Sequence, residues 1–340
     1  MSRPIGDLPA NPFVAGPMIT DPRLFVGRRR ELARLANLMQ QPVSANVIGE
    51  RRIGKSSLLY HIYQTWESRV NEPARYCVVY LNLQEARCDQ EDRFYAAVLQ
   101  ALRQELRSHP TLSQLPNAAD RVEFSAIIRQ CCQENIRPVL CLDEFEALFE
   151  HTQSFNDGFF NNLRGLMNAN QIMLILASKK SLDVYKRRHG LTSDFFNLGQ
   201  ILKLGELEPD EVTDLLRLPA TPPLGALEQD KAREWGGQHP CKLQLAANFL
   251  WQAGKEGYGE AWAKQQFSLE AKRLPKQRIK PNPMRSLTNL GKLSQTIGDK
   301  WDDLGNRITG MVIIIIVLLG IVGVLGVPQV KELINKALGG

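Results

Sequence analysis

Nine residues, Gly49-Glu50-Arg51-Arg52-Ile53-Gly54-Lys55-Ser56-Ser57, carry the plainest chemistry in this chain of 340. Their spacing is Gly-x4-Gly-Lys-Ser, which suits a loop that cradles phosphates. Gly49 and Gly54 allow backbone conformations that a side chain would forbid, so the loop's N–H groups can turn inward onto phosphate oxygens. Lys55 is placed to reach the β- and γ-phosphates, and the Ser56 hydroxyl to ligate Mg²⁺, with Arg52 and Ser57 completing the loop. A helix beginning here would add its partial positive charge. The competing reading is a glycine-rich turn before an ordinary helix. The flanks favour the phosphate loop: a strand-like run, Val43–Ile48, ending in a β-branched Val-Ile pair, precedes it and the helix-like Leu58-Leu59-Tyr60-His61-Ile62 follows.

A pair of carboxylates supplies what such a loop lacks. The apolar run Val139-Leu140-Cys141-Leu142 reads as a buried parallel strand and ends in Asp143-Glu144. Hydrolysis of a nucleotide needs one carboxylate to position Mg²⁺ and often a second to orient the attacking water. Asp143 suits the first role and Glu144 the second. Taken alone, Asp-Glu after a strand more often opens a helix, and Glu146 continues the acidic run; the upstream phosphate loop tips the balance.

The elements needed to position these groups are present. Residues Met1 to Asp21 are rich in Pro and Gly and read as an extended arm. Helical period is expected over Arg28–Gln40, from the phosphate loop to about Val70, over Glu91–Arg107, Val122–Gln133 and Phe155–Met167. Strands are expected at Val43–Ile48, Tyr76–Leu83, Val139–Leu142, Ile172–Ala177 and Gln200–Leu204. Alternating helices and apolar strands indicate an α/β domain with a parallel sheet. After Pro209 the pattern turns helical, with Glu211–Leu218, Leu227–Trp235 and Leu243–Ala253 suggesting a small α-helical lid. The domain reading is an arm over residues 1–23, a core over 24–206, a lid over 207–270, a linker over 271–307, an apolar span over 308–327 and a tail over 328–340.

That span, ITGMVIIIIVLLGIVGVLGV, contains no charge. About 20 such residues suffice for one transmembrane helix. A buried core helix is the alternative, but four consecutive isoleucines with no polar face leave nothing for solvent. Charge sets the expected direction. The chain carries 42 basic and 36 acidic residues, a formal net charge of +6. Residues 271–340 hold 11 of the basic and 4 of the acidic ones, leaving residues 1–270 near neutral at 31 and 32. The basic excess therefore belongs to the segment before the span and does not mark a general nucleic-acid-binding surface. Basic residues beside a span stay in the cytoplasm. The expectation is a single-pass protein of the inner or plasma membrane, its head in the cytoplasm and its short tail outside. Pro275, Pro281 and Pro283 make the first half of the linker extended.

Cys77, Cys88, Cys131, Cys132, Cys141 and Cys241 form no Cys-x-x-Cys pair, and Cys77 and Cys141 fall in apolar runs as small buried hydrophobes. This usage suits a reducing cytoplasm and no disulfide framework. The five histidines show no metal-ligand spacing.

Several segments together resemble a known family: Asn11-Pro12-Phe13, then Leu24-Phe25-Val26-Gly27-Arg28 with Glu31-Leu32, the phosphate loop, Leu140-Cys141-Leu142-Asp143-Glu144-Phe145-Glu146, and Gly237-Gln238-His239-Pro240 with Leu243-Gln244-Leu245. They resemble the bacterial and archaeal AAA-like ATPases near the STAND class of signal-transduction ATPases, related to the origin-recognition branch of AAA+ proteins. The resemblance covers about Asn11 to Trp251. It implies a parallel-sheet P-loop NTPase core with a helical lid, and ATP and Mg²⁺ as cofactors. It places Val26 and Gly27 near the adenine, Ser178 at the polar sensor position, and His239 and Pro240 in a lid motif near the nucleotide. Relatives often carry arginine just after the sensor; this chain has Lys179 and Lys180, which leaves γ-phosphate sensing unassigned. Arg164, Arg187 and Arg188 are the candidates for an arginine finger, and each also reads as an ordinary surface arginine. The family's long C-terminal repeat sensor is replaced by the linker and span.

Three functions fit these features. One is a membrane-tethered ATPase switch that acts through a homo-oligomer or a protein partner. Another is an effector that binds ATP without hydrolysing it, its spans clustering through the stripe Gly320, Gly323 and Gly326 to disturb the bilayer. The last is a DNA-handling ATPase, which the near-neutral head disfavours.

Overall fold

The computed structural model describes residues 10–274, apart from 118, 119 and 198. The expected span, its basic linker and the tail lie outside the described residues. Among the described residues no helix is long and apolar enough to cross a membrane.

Five strands form one parallel sheet: β1 (Ala45–Ile48), β2 (Tyr76–Asn82), β3 (Arg137–Asp143), β4 (Met173–Ser178) and β5 (Gln200–Lys203). Their spatial order is β2-β3-β4-β1-β5, and each neighbouring pair is parallel. Every connection is therefore a crossover, which the chain makes with helices. Helix α1 (Arg29–Gln40) precedes β1, and the connecting helices are α2 (Lys55–Thr65), α3 (Glu91–Glu105), α4 (Arg121–Gln133), α5 (Asp157–Asn168) and α6 (Leu182–His189).

Strands β3 and β4 are buried on both faces, so their centres are apolar instead of alternating with polar residues, whereas the edge strand β5 is exposed at three of its four positions. Side chains still alternate between two cores. Val79, Leu81, Leu140, Leu142, Leu174 and Leu176 pack with a phenylalanine-rich cluster that includes Phe94, Phe145, Phe159 and Phe160. Val78, Val139, Cys141, Ile175 and Ala177 face Leu58, Leu59 and Ile62 of α2 and Leu35 and Met39 of α1.

Four further helices, α7 (Pro209–Leu216), α8 (Ala226–Gly236), α9 (Pro240–Glu256) and α10 (Glu260–Arg273), have their own core, built on Leu215, Leu243, Ala246, Leu250 and Phe267. Phe13, from the arm, belongs to this core. The arm is tied along the helices: the Asn11 side-chain amide donates to Asn248 Oδ1 at 2.6 Å, and the Val14 N–H donates to Gln244 Oε1 at 3.0 Å.

Several boundaries differ from the sequence expectation. Strand β3 starts two residues early, at Arg137, and runs through Asp143, so the expected apolar run is its buried centre. The helix after the phosphate loop ends at Thr65 and continues only as a 3-10 turn over Trp66–Arg69. Helix α5 starts at Asp157 because the Asn156 side chain accepts from the Gly158 and Phe159 N–H groups and caps it. Helices α6 and α10 have no counterpart in the expected set.

Candidate active site

The phosphate loop leaves β1 at Ile48 and enters α2 at Lys55. Two left-handed residues shape it, Arg52 at φ 65° and Gly54 at φ 97°. Gly49 is required for a different reason. A Cβ there would lie 2.9 Å from the Ile53 side chain and 3.0 Å from the Leu204 carbonyl oxygen. Gly49→Ala is therefore expected to destabilise the fold by about 1–3 kcal/mol, the usual cost of overpacking, and thermal unfolding of the nucleotide-free protein measures it. No side chain caps the start of α2. Its first N–H groups therefore face the loop's mouth with no intrahelical partner, the arrangement that binds anions.

Lys55 is buried at 7% exposure. Its ammonium donates to the Gly49 and Glu50 carbonyls, both at 3.0 Å. Burial pushes its pKa down, opposed by the nearby carboxylates of Glu144, Glu146 and Asp143. Asp143, 3% exposed, ends β3 opposite Asn82 of β2. Its carboxylate accepts from the Tyr80 hydroxyl at 2.9 Å and from the Glu144 N–H at 2.9 Å, with the Ser56 side chain beside it. Burial nevertheless pushes its pKa above the ordinary value, with those donors working against it.

Glu144 follows in the left-handed region at φ 51° and precedes a 3-10 helix over Phe145–Glu150, so the strand end and the helix start expected as alternatives coexist. Its carboxylate lies 3.3 Å from the Lys179 ammonium, which is also 2.9 Å from Glu146. Gln84 Nε2 is 3.5 Å from Glu144 Oε2.

A cavity of about 270 Å³ opens above the loop. Arg52, Gly54, Lys55, Ser56, Ser57, Glu144, Val26 and Pro240 line it, as do Val14, Phe25, Leu207 and Leu215. The latter four, with Val26 and Pro240, form an apolar wall suited to a planar base, next to a polar end suited to phosphates. Phe25 stacks on His61 with ring centroids 4.1 Å apart. Burial, then Arg69, lowers the His61 pKa to about 4, so this ring pair is uncharged at neutral pH.

The remaining expected site residues stand behind that lining. Gly27 is at φ 81°, where a Cβ would come within 3.0–3.1 Å of Glu211. It is thus the point where α7 approaches the core. Ser178 is buried, its hydroxyl donating to the Lys180 carbonyl at 2.7 Å and lying 3.0 Å from Asn46 Oδ1. Strand β4 puts it between the loop strand β1 and the Asp143 strand β3. His239 caps α9, its Nδ1 accepting from the Lys242 N–H at 3.4 Å, and burial lowers its pKa. Among the arginine-finger candidates, Arg164 pairs with Asp194 at 2.9 Å and Arg187 with Asp183 at 2.7 Å, and neither these two nor Arg188 lines the cavity.

Sequence reasoning missed three contributors. Residues 16–19 of the arm line the cavity, and the Ile19 N–H donates to Ser57 Oγ at 3.1 Å. Arg28, 3% exposed, donates to the carbonyls of Ile53 at 2.9 Å and Gly205 at 2.7 Å, tying the loop to the connection that leads into α7. Beside it Glu211 accepts from the Arg29 and Glu208 N–H groups, and Arg29 pairs with Asp210 and with Asp214. The available signal was the pair of boxes around Asn11 and Phe25, which marked the right segments without assigning their contacts.

The donor set fits a magnesium-bound polyphosphate. Ser56 and Asp143 offer hard oxygen ligands side by side, few enough that the ion would keep waters and phosphate oxygens. Lys55 is a buried cation whose present partners are only carbonyls.

Residues 24–189 match the family model described as TniB, Bacterial TniB protein. Among curated proteins none matches significantly. Of solved structures, the Walker-type ATPase PABY2304 of Pyrococcus abyssi is similar at 16% identity and a TM-score of 0.55, over 84% of this chain and 81% of that one. The Aeropyrum pernix ORC2 protein in its ADP form is similar at 16% identity and a TM-score of 0.51, over 76% and 71%. The structural likenesses show the parallel-sheet P-loop NTPase fold.

Proposed function

We propose that this protein binds Mg·ATP at the cavity above the phosphate loop, hydrolyses it, and uses the nucleotide state to control how the arm and lid close on the core. The observation that carries this reading is the convergence of Lys55, Ser56 and Glu144 on one cavity roofed by the arm and α9, with the buried Asp143 carboxylate beside Ser56. Lys55 and the N-terminus of α2 hold the phosphates. Ser56 and Asp143 hold the ion, which supplies positive charge to the transferring phosphoryl group. Glu144 orients a water toward the γ-phosphorus and receives its proton; the bond from phosphorus to the bridging oxygen breaks, and ADP departs with the bonding electrons. Lys179 stands beside Glu144, and its ion pairs with Glu144 and Glu146 would rearrange as a water enters.

Arg28 gives the switch its linkage. A single buried guanidinium joins the loop at Ile53 to the lid connection at Gly205, so strain at the phosphates reaches α7 through hydrogen bonds. The output is assembly of copies of this chain or contact with a protein partner. Phosphate release from ATP with and without Mg²⁺, together with mass by light scattering with and without nucleotide, tests it. No Mg²⁺-dependent release and no change in mass would overturn it.

We further propose that residues 308–327 anchor this ATPase in the inner or plasma membrane, head in the cytoplasm. Support comes from the uncharged length of the segment and the nine basic residues of 271–307. A helix satisfies its own backbone groups, so one segment is a viable spanning unit. Full-length protein is expected in the membrane fraction. A cysteine at Gly340, with native cysteines confirmed silent, is expected to react with an impermeant thiol reagent on intact cells. Labelling only after lysis would reverse the orientation, and full-length protein in the soluble fraction would remove the anchor. The non-hydrolysing effector remains the second reading, favoured by the Lys179 pairing that occupies Glu144 and by the glycine stripe in the span. Nucleic acid is not proposed as a partner, because residues 1–270 are near neutral.

A further inference from the structure

The expected magnesium ligand, Asp143, is held by a residue that the phosphate-loop chemistry does not require. Strand β2 lies beside β3 in register, with Tyr80 opposite Cys141 and Asn82 opposite Asp143. Tyr80 therefore sits two residues short of the strand end, and its long side chain reaches forward along the sheet. Its hydroxyl is 2.9 Å from Asp143 Oδ2. The ring is fixed edge-on to Tyr60, with centroids 5.1 Å apart, and stands 6.1 Å from the ring of Tyr63. From the arm, Met18 brings its sulfur to 3.5 Å from the same hydroxyl.

A phenol has one proton to donate, and a carboxylate is a far better acceptor than a thioether. The proton therefore belongs to Asp143, with the Met18 sulfur lying against the same hydroxyl. A phenol keeps its proton at neutral pH, so the hydroxyl is available as a donor. The division of labour at the carboxylate is specific. Oδ1 takes the Glu144 N–H and Oδ2 takes Tyr80. With both oxygens bonded from the protein side, the carboxyl plane is fixed before any ion arrives, and each oxygen keeps a second lone pair.

We propose that Tyr80 is a positioning residue that orients Asp143 for magnesium. This rests on the Mg·ATP reading of the site. Groups that orient a metal's ligands commonly change metal affinity by about 10- to 100-fold when removed. Tyr80→Phe keeps the ring contacts with Tyr60 and Tyr63 and removes only the hydroxyl. In the full-length detergent-solubilised protein, ATP affinity is measured by calorimetry in EDTA and across a Mg²⁺ titration. The Mg²⁺ concentration needed for half the effect is expected to rise by roughly 10- to 100-fold. Affinity in EDTA should stay within about twofold, and the variant should remain folded with a melting temperature lowered by no more than the loss of one buried hydrogen bond allows. In an Asp143→Asn background, Tyr80→Phe should add nothing further.

The alternatives separate cleanly. A Mg²⁺ midpoint equal to wild type, an additive effect in the Asp143→Asn background, or a variant that cannot fold would each overturn the positioning role, since a hydroxyl that only orients a ligand is not needed for folding. If the wild type itself shows no Mg²⁺ dependence, the metal reading fails and this role fails with it.

Discussion

Lys55→Ala is expected to weaken ATP binding by roughly 30- to 4,000-fold. The range converts the loss of about 2–5 kcal/mol seen when one member of a buried charge pair is truncated, at tenfold per 1.4 kcal/mol. The size follows from burial. At 7% exposure the ammonium is largely desolvated before nucleotide arrives, so little of its attraction to phosphate is screened by water. Its partners in this structure, the Gly49 and Glu50 carbonyls, are neutral and can be exchanged for phosphate oxygens at small cost. The same two bonds predict a second effect. Alanine leaves both carbonyls without that donor, so the nucleotide-free protein should lose about 1–3 kcal/mol of stability. Titration with ATP alongside thermal unfolding separates the two effects. Nucleotide affinity equal to wild type would sink the assignment of Lys55 to the phosphates.

What could be read from the chain beforehand divides along a physical line. The loop from Gly49 to Lys55 between β1 and α2 was legible because its residue types at fixed spacing mark a strand–loop–helix junction, and Val139–Leu142 because a strand buried on both faces must be apolar. Helix α6 was not, since Lys186-Arg187-Arg188-His189 hide its period and only Leu182 and Tyr185 are buried. Long-range hydrogen bonds were also illegible. Arg28 looks like any basic residue, yet its partner at Gly205 is 177 positions away. Val14 donates to Gln244 across 230 positions. Neither contact leaves a local pattern, because a lone N–H or guanidinium finds its acceptor only after the lid core has formed. The arm therefore read only as an extended segment, whereas in the folded protein residues 16–19 are part of the cavity wall. Tyr80 read as one more strand residue; its value lies in register with Asp143, which sequence periodicity does not encode.

Glu144→Gln is expected to separate binding from turnover. Glutamine keeps the length and planarity of the side chain, and the backbone at φ 51° is no harder for it than for glutamate. The phosphate contacts of Lys55 and the α2 N-terminus do not involve Glu144, so ATP affinity should stay close to wild type. Lys179 loses one of its two carboxylates but keeps Glu146 at 2.9 Å, so the local fold should hold. What disappears is the negative charge that can align a water and take its proton. Hydrolysis is expected to fall by roughly 10²–10⁴-fold, the contribution of a positioned acid–base group. Phosphate release under saturating Mg·ATP, read beside ATP affinity, measures the separation. The Lys179 pairing sharpens the outcome. Glu144 Oε2 is within 3.3 Å of that ammonium, so, while the pair holds, the carboxylate is a weaker base toward a water. If nucleotide closure loosens it, the wild type turns over and the variant does not. If the pair persists with ATP bound, both proteins bind and neither hydrolyses, which is the behaviour of the effector reading and would overturn the ATPase.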